Sequence, residues 1–251
     1  MTDPVRPRLT FFFPAYNEEE NLAETVQRAL DEIGPLVDGS IEVLAVDDGS
    51  TDRTPQLADE LAASDPRVRV HHQENRGYGG ALRAGFANAS GGLIAFSDGD
   101  LQFDLSEMSR LLQRLDDPSR RPVDAVIGYR IKRRDPPHRI LIAKTYNAIV
   151  SLLFGLRVRD IDCAMKVFRR HVFDGLPLET DSPFLSAELL IKLKARGVRM
   201  AQVGVNHYPR AAGTNTGASF RKILRTFRDI GRLRWALWTR RREVLGQQRA
   251  R

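Results

Sequence analysis

The sequence is poor in cysteine and in long hydrophobic runs. Its 251 residues include one cysteine, Cys163, which excludes an internal disulfide framework and is typical of a reducing compartment. No stretch contains about 18 uninterrupted apolar residues, so we expect no transmembrane helix. The nearest stretch, residues 140–156, is interrupted by Lys144, Asn147 and Ser151. The first eight residues are polar and contain proline, and we therefore expect no signal peptide there.

A dinucleotide-binding fingerprint is also absent. That fingerprint places G-x-G-x-x-G directly after the first strand, with an acidic residue about 20 positions later. Here the apolar run Leu9–Phe13 is followed by Pro-Ala-Tyr-Asn-Glu, and the glycine-rich run 77–80 comes much later. The later run suits a tight turn from which a helix packs closely. The sequence therefore argues against a nucleotide-binding oxidoreductase.

Basic charge is concentrated at the end of the chain. Residues 219–251 contain 11 Lys/Arg and 2 Asp/Glu, a net charge of +9. The other residues contain 28 basic and 30 acidic side chains, a net charge of −2. A nucleic-acid-binding domain is expected to carry a basic face within its fold. A basic appendage beside a near-neutral domain instead favours an anionic membrane surface, and we predict no nucleic-acid partner.

Short apolar runs alternate with helix-like segments through most of the chain. The helices are predicted near residues 22–33, 54–63, 78–89 and 105–115. The strands are predicted at residues 9–13, 41–46, 68–72, 93–96, 124–128 and 198–205. This alternation indicates an α/β fold with a mostly parallel sheet flanked by helices. At 42% hydrophobic residues, the chain has enough apolar material for one large core.

Polar loops follow three of the predicted strands. Pro14 follows the first strand, Asp48 the second and Asp98 the strand at residues 93–96. In open α/β sheets, ligands bind beyond the carboxyl ends of the strands. The three loops are therefore predicted to form a nucleotide-binding crevice at one edge of the sheet.

The loop after residues 93–96 carries two carboxylates and an amide at alternate positions, Asp98, Asp100 and Gln102. On an extended backbone, alternate side chains share a face. Hard oxygen donors suit Mg²⁺ or Mn²⁺, the ions that accompany a diphosphate. Asp and Gly are also common in solvated turns, and the short motif alone leaves both interpretations open.

Taken in order, the motifs resemble those of family 2 glycosyltransferases with the GT-A fold. They are similar in particular to dolichol-phosphate mannose and glucose synthases and to bacterial polyprenyl-phosphate glycosyltransferases. The residues that carry the resemblance are Pro14–Glu18, Val46–Thr54, Asn75–Ala81, Asp98–Gln102, Gly128–Arg130, Arg159–Arg170 and Glu188. The resemblance implies a Rossmann-like, mostly parallel sheet flanked by helices. It also implies inverting, metal-dependent hexose transfer from a GDP-mannose- or UDP-glucose-type donor to polyprenyl or dolichyl phosphate.

The resemblance also assigns roles at the donor site. It implies that Pro14, Tyr16 and Glu18 hold the base and ribose of the nucleotide-sugar, and that Asp48 contacts the base. Asp98, Asp100 and Gln102 match the site for the metal and the diphosphate, with Asp100 as a catalytic residue. Glu18 also suits the dipole at a helix N-terminus.

At the acceptor site, the resemblance implies a lipid phosphate, for which guanidinium groups are suited. Arg130 and Arg139 are the predicted catalytic ligands of that phosphate. Arg210, in a glycine-rich stretch after the last strand, is expected to contact the donor diphosphate from a closing loop; a passive linker is the alternative. Lys166 stands where many relatives have Arg, which leaves its contact open. Cys163 is expected to be a buried small residue.

A hydroxyl acceptor would change the chemistry, because it requires a general base that a phosphate acceptor does not need. In that alternative, the transferase uses Glu188, or Asp181, as the base. Glu188 has an equally ordinary explanation, an ion pair with Lys192 four residues later on a helix. The sequence leaves the two open.

The last part of the chain has apolar residues at helical spacing with arginines between them and Trp235 and Trp238 near its end. This pattern indicates an amphipathic helix in a membrane interface, although a helix packed on the domain has a similar pattern. We therefore divide the chain into a catalytic domain, 1–218, and a basic membrane-interface tail, 219–251. We expect a peripheral protein at the cytoplasmic face of the membrane.

Overall fold

The computed structural model describes residues 6–131, 137–209 and 220–246, with side chains except at 137–139 and 220–223. In this part of the chain, one seven-stranded sheet has the order β3-β2-β1-β4-β6-β5-β7. Strand β6 runs antiparallel to β4 and β5, and the other neighbouring pairs are parallel. The strands are β1 Leu9–Ala15, β2 Ile41–Asp47, β3 Val68–His72, β4 Leu93–Phe96, β5 Ala125–Arg130, β6 Lys166–Arg169 and β7 Met200–Val205.

Helices cover both faces of the sheet, and the predicted α/β fold class is confirmed. They are α1 Leu22–Arg28, α2 Thr54–Ser64, α3 Tyr78–Asn88, α4 Met108–Leu115, α5 Pro137–Phe154, α6 Leu185–Ala195, α7 Phe220–Thr239 and α8 Arg241–Val244. Helix α1 continues as a π-helical turn at Ala29–Ile33 and a 3₁₀ turn at Gly34–Val37. Its apolar positions Leu22, Val26, Ala29 and Ile33 are buried, as their spacing predicts.

Among the differences from the sequence-based prediction, two concern β6 and β1. Strand β6 was not predicted, because its four residues include Lys166 and follow a polar motif, so no alternating pattern marks it. Strand β1 extends through Pro14, which pairs in register with Val46. Pairing with β4 ends at Phe12 and Phe96. Beyond that point β1 has a neighbour on one side only, and proline is tolerated in such an edge position.

The core below the site is aromatic. The rings of Phe12 and Phe96 stack with centroids 5.3 Å apart, and Phe86 of α3 meets both edge-on. A side chain at Gly85 would collide with the ring of Phe12. The small residues of α3 therefore allow this helix to pack directly on β1, which fixes the helix's N-terminus near the carboxyl edge of the sheet.

Helices α5 and α7 contact each other and leave large apolar side chains exposed. Helix α7 packs on the domain through Ile230, Leu233 and Ala236, which are buried. No helix among the described residues is long and apolar enough to cross a membrane. The predicted domain boundary between residues 218 and 219 lies outside the described residues.

Candidate active site

The loops that follow β1, β2 and β4 meet at the carboxyl edge of the sheet. The backbone N–H of Asp48 donates to the carbonyl of Ala15 at 2.9 Å. The hydroxyl of Thr25 donates to the carbonyl of Gly99 at 3.2 Å. A Cβ at Gly99 would lie 3.0 Å from the carbonyl oxygen of Pro14. The structure therefore brings three of the predicted loops together.

Asp48 connects this cluster to the loop before α3. Its side chain is buried, and its Oδ1 accepts hydrogen bonds from Gln73 Nε2 at 2.6 Å and from the backbone N–H of Arg76 at 2.8 Å. Gly49 has φ +70°, and a Cβ there would lie 2.7 Å from the backbone nitrogen of Asn75. Only glycine suits both the left-handed conformation and this close approach. The Asp-Gly pair thus holds the segment before α3 against β2.

Tyr16 and Glu18 occupy the loop after β1. Tyr16 is 41% exposed, so its ring is available for stacking. The backbone N–H of Glu18 donates to Thr54 Oγ1 at 2.9 Å, and its Oε2 accepts from Asn21 Nδ2 at 2.7 Å. Glu18 therefore lies just before α1 and helps to join the first two loops, a structural role compatible with the predicted contact to ribose.

Asp98, Asp100 and Gln102 lie in a compact turn after β4. Leu101 adopts φ +58°, and the backbone N–H of Gln102 donates to Asp100 Oδ1 at 3.2 Å. The amide Nε2 of Gln102 donates to the carbonyl of Tyr208 at 3.0 Å. The amide nitrogen therefore points to the segment after β7, which leaves its oxygen as the atom suited to a cation.

Tyr78 is a site residue that the sequence analysis did not single out. It opens α3, and its hydroxyl donates to Asp98 Oδ1 at 2.9 Å. Burial and the neighbouring Asp98 carboxylate raise the pKa of Tyr78 well above its ordinary value, so the phenol remains a donor at neutral pH. Its sequence signal is its place in the family motif Asn75–Ala81, between two glycines that suit a turn.

The residues of the turn fit a hard divalent cation. Within the described residues, no group of three His, Cys, Asp or Glu side chains is placed to hold a metal. The two carboxylates and one amide of the predicted set would supply only part of a coordination shell. Mg²⁺ and Mn²⁺ sites of this kind are completed by substrate phosphates and water. The donor set is therefore suited to a cation that arrives with a diphosphate.

The segment after β7 returns to this turn. Phe103 and His207 form an isolated β-bridge, and their rings lie 5.1 Å apart, nearly edge to face. The backbone N–H of Tyr208 donates to the carbonyl of Gln102 at 2.8 Å. His207, another residue that the sequence analysis left without a role, is thus held next to the Asp98–Gln102 turn. Arg210 lies outside the described residues.

Of the two predicted acceptor arginines, only Arg130 has a described side chain. Arg130 ends β5, and its guanidinium is paired with Asp160 through Nε–Oδ2 at 2.6 Å and Nη2–Oδ1 at 2.8 Å. Both side chains are about nine-tenths buried. Arg139 belongs to α5, and its side chain lies outside the described residues. The Asp160 carboxylate therefore occupies the Nε and Nη2 donors of Arg130. The contact of Arg130 with a phosphate stays a prediction.

Lys166 lies beneath the site in a fully buried position. Its Nζ donates to the carbonyl of Cys163 and lies 5.1 Å from the centre of the Phe96 ring. Burial lowers the pKa of Lys166. Burial raises the pKa of Cys163 to about 12, so its thiol stays protonated. This agrees with a structural role for the cysteine rather than a nucleophilic one.

Glu188 forms the ion pair that its spacing predicts. Its Oε1 lies 2.7 Å from Lys192 Nζ, and both side chains are buried. Its two carboxylate oxygens also accept from the backbone N–H groups of Glu179 and Thr180 at 3.1 and 3.0 Å. The carboxylate therefore holds the loop before α6 and is already occupied. Asp181, the other candidate base, is paired with Arg83 at 2.7 Å.

Comparison with known proteins identifies the family. The sequence model described as glycosyl transferase family 2 matches residues 10–176, more than half of the chain. The chain therefore belongs to glycosyl transferase family 2, as its motifs indicate.

Two relatives illustrate the similarity. The chain is 32% identical over 236 residues to glycosyltransferase AglD of Haloferax volcanii, covering 90% of this chain and 37% of AglD. It is 32% identical over 237 residues to undecaprenyl-phosphate 4-deoxy-4-formamido-L-arabinose transferase of Pectobacterium carotovorum, covering 92% of this chain and 68% of that protein. The chain thus spans little more than a third of AglD and about two thirds of the second relative.

Among solved structures, the chain resembles glucosyl-3-phosphoglycerate synthase from Mycobacterium tuberculosis. The complex of that enzyme with Mn²⁺, UDP-glucose and phosphoglyceric acid has a TM-score of 0.65 and 22% identity, covering 92% of this chain and 79% of that one. At this identity the likeness establishes the fold. Together with the strand order, it confirms the GT-A architecture that the resemblance implied.

Proposed function

We propose that the chain transfers a hexose, with inversion, from a nucleotide-sugar to a polyprenyl or dolichyl phosphate at a membrane surface. The convergence of the loops at one sheet edge is the observation that carries the donor site. Asp48 is bound to the segment before α3, and Tyr78 of α3 is bound to Asp98. Nucleotide and diphosphate contacts can therefore be made by one continuous group of loops.

In this proposal Pro14, Tyr16 and Glu18 hold the base and ribose. Asp48 contacts the base through Oδ2, since its Oδ1 already accepts two hydrogen bonds. Asp98, Asp100 and Gln102 would hold Mg²⁺ or Mn²⁺, and the bound ion would supply positive charge against the leaving nucleoside diphosphate. The related synthase that binds Mn²⁺ with UDP-glucose supports a UDP-linked donor; GDP-mannose remains the other candidate.

A relative's name and the chemistry of the reaction support the proposed acceptor. The Pectobacterium relative is by name an undecaprenyl-phosphate transferase. A lipid phosphate is anionic at neutral pH and attacks without a base, so the protein needs only to orient it. Arg130 and Arg139 have this role in our proposal, and Arg210 contacts the diphosphate. Glu188 and Asp181 are already ion-paired with Lys192 and Arg83. The alternative, a hydroxyl acceptor with one of these carboxylates as the base, is therefore the weaker of the two.

We place the lipid-facing surface on α5, in a catalytic domain of residues 1–218, and on α7, in an interfacial tail of residues 219–251. Four large apolar residues of α7 are exposed on the face opposite its packed side. We call Leu224, Phe227, Trp235 and Trp238 the exposed stripe of α7. On α5, Leu152 is 86% exposed. Apolar and tryptophan side chains beside arginines suit the membrane interface, here proposed to be the cytoplasmic face.

A donor screen tests the proposal. Radiolabelled UDP-glucose and GDP-mannose are incubated with a short polyprenyl phosphate and Mn²⁺, and the product is extracted into organic solvent. We expect label in the organic phase with one donor, and none when EDTA is added or the acceptor is omitted. Nucleoside diphosphate binding without any lipid product would contradict the acceptor. The absence of metal-enhanced nucleotide binding would contradict the donor site.

A further inference from the structure

A cavity of about 320 Å³ lies beside α7, and none of the proposed donor-site residues that the structure describes lines it. Its walls are α7, the start of α6 and the loop of residues 179–181. Charged side chains of both signs line it. They are Arg225, Arg228, Arg232, Arg240, Glu179, Asp181, Glu188 and Asp229.

The carboxylates of the cavity already have partners. Glu188 is paired with Lys192, and Asp181 with Arg83. Asp229 Oδ2 accepts a hydrogen bond from Ser182 Oγ at 2.7 Å. Glu179, at the rim, lies 4.0 Å from Lys192 Nζ. Lys192 and Arg83, which do not belong to α7, therefore neutralise Glu188 and Asp181, whereas Asp229 is hydrogen-bonded to a neutral hydroxyl.

The positive charge of the cavity arginines is less fully neutralised by carboxylates. Arg228 approaches Asp229 only at 3.9 Å, and Arg240 pairs with Glu243 at 3.4 Å. Among the described residues, no carboxylate lies within 4.0 Å of the guanidinium of Arg225 or Arg232. The cavity therefore holds unneutralised guanidinium groups, which favours an anionic occupant.

The position of these arginines on α7 suggests the source of the anion. With 3.6 residues per turn, Arg225, Arg228 and Arg232 lie along one flank of the helix. This flank separates the exposed stripe of α7 from the buried residues Ile230 and Leu233. If the exposed stripe enters the acyl boundary of a membrane, the flank lies at the depth of the lipid phosphates.

We propose that this cavity binds the phosphate of an anionic phospholipid headgroup, with Arg225, Arg228 and Arg232 as its ligands. Guanidinium groups bind phosphate through paired, charge-assisted hydrogen bonds. The inference rests on the proposed membrane docking and adds to it a site distinct from the acceptor phosphate. The proposed site is also connected to α3, the helix whose Tyr78 binds Asp98. Asp181 of the cavity wall pairs with Arg83 of α3, and the backbone of Asp181 packs on Gly79.

The test compares two arginines of the same helix. Arg232→Gln removes a cavity ligand, whereas Arg234→Gln removes an equal charge from an exposed position that does not line the cavity. Binding is measured by sedimentation with phosphatidylcholine vesicles that contain increasing phosphatidylglycerol. A charge near an anionic surface contributes about 1 kcal/mol, so Arg234→Gln should weaken binding about fivefold. Arg232→Gln should weaken it at least about tenfold, because a charge-assisted hydrogen bond is also lost.

Arg232→Lys provides the second comparison, because it keeps the charge and removes the planar guanidinium. The proposal expects a loss for this variant, and simple charge attraction expects none. Equal losses for Arg232→Gln and Arg234→Gln, with full binding by Arg232→Lys, would overturn the cavity site and leave membrane docking in place. Failure of the unaltered protein to bind any of the vesicles would overturn both. Melting temperatures measured without lipid verify that each variant is folded.

Discussion

The carboxyl edge of the sheet and the surface of α5 and α7 differ in how far their side chains are bound by the rest of the protein. At the edge, the polar groups are bound by the protein itself, as Asp48 is by Gln73 and Arg76. On the helical surface, Leu152 and Trp238 remain 86% and 71% exposed. The first region is organised before any ligand arrives. The second leaves its apolar side chains uncovered by the described residues, and we propose that the membrane covers them.

The largest expected effect lies at the organised edge. Asp100→Asn keeps the shape of the side chain and removes a negative charge from the proposed metal site. Because a metal contributes several kcal/mol to charge stabilisation, we expect hexose transfer to fall by about 1,000-fold. Glu60→Gln, at an exposed position of α2, is the matched control. Transfer by Asp100→Asn within about tenfold of the unaltered rate would remove Asp100 from the catalytic residues.

The next effect concerns the buried pair of Glu188 and Lys192. Variants of this pair distinguish a structural from a catalytic role of the Glu188 carboxylate. Glu188→Gln leaves the buried Lys192 ammonium with Glu179 at 4.0 Å as its remaining carboxylate among the described residues, and we expect a loss of about 3–5 kcal/mol in the free energy of unfolding. Urea denaturation measures this loss. A double variant, Glu188→Leu with Lys192→Met, removes both charges and should recover much of the stability.

The same variant tests the alternative acceptor. A general base contributes about 100-fold or more to the rate. If Glu188 only supports the loop of residues 179 and 180, the fraction of Glu188→Gln protein that is folded should retain its turnover. A variant of normal stability with turnover reduced about 100-fold would instead identify Glu188 as a base and favour a hydroxyl acceptor.

A smaller effect is expected at the helical surface. Trp235→Ala and Trp238→Ala each remove a large exposed ring from α7 and should leave the fold unchanged. Burying a large apolar side chain is worth about 1.5–3 kcal/mol, so we expect vesicle affinity to fall about tenfold or more for each. Leu36→Ala, an exposed apolar residue that follows α1, is the control. Unchanged vesicle binding by both tryptophan variants would contradict the membrane role of the exposed stripe.

The two regions also differ in what the sequence predicts about them. The strand ends and their loops were predictable because apolar runs stop abruptly at Pro14, Asp47 and Ser97, and parallel strands bring their carboxyl ends together. The family motifs then supplied roles for individual residues. Contacts between distant segments were not predictable. The bond from Tyr78 to Asp98 joins a helix N-terminus to a turn 20 residues later, and no local pattern encodes it.

Ion pairs could be predicted only between residues that are close in the sequence. The pair of Glu188 and Lys192 follows from helical spacing, and the structure contains it. The pair of Arg130 and Asp160 spans 30 residues, and the sequence, from which we predict Arg130 as a phosphate ligand, does not indicate this partner. Strand β6 was missed for a similar reason, since it is stabilised by neighbours on both sides rather than by its own sequence.

The smallest expected effect is pH-dependent and lies again at the sheet edge. Nδ1 of His72 lies 2.9 Å from Asp47 Oδ2, and Nε2 lies 3.1 Å from Asp59 Oδ1. The hydrogen bond with Asp47, reinforced by Asp59, raises the pKa of His72 above its ordinary value, against the opposing effect of partial burial. Protonated His72 therefore stabilises the folded protein. This stabilisation is complete below the ordinary histidine pKa of about 6.5 and is lost as the pH rises through the higher folded value.

His72→Gln should consequently reduce the free energy of unfolding more at about pH 5.5 than at about pH 8.5, as measured by urea denaturation. The ring is 42% exposed, so the difference should stay below about 1 kcal/mol. His71→Gln, next to it on β3 and directed to the opposite face, is the control. Because Asp47 Oδ1 also accepts from the backbone N–H of Ser50, the change should spread to the loop that carries Asp48. A loss of stability that is the same at both pH values would show that His72 supports this loop as a neutral side chain, and that ion pairing at the edge contributes nothing to its order.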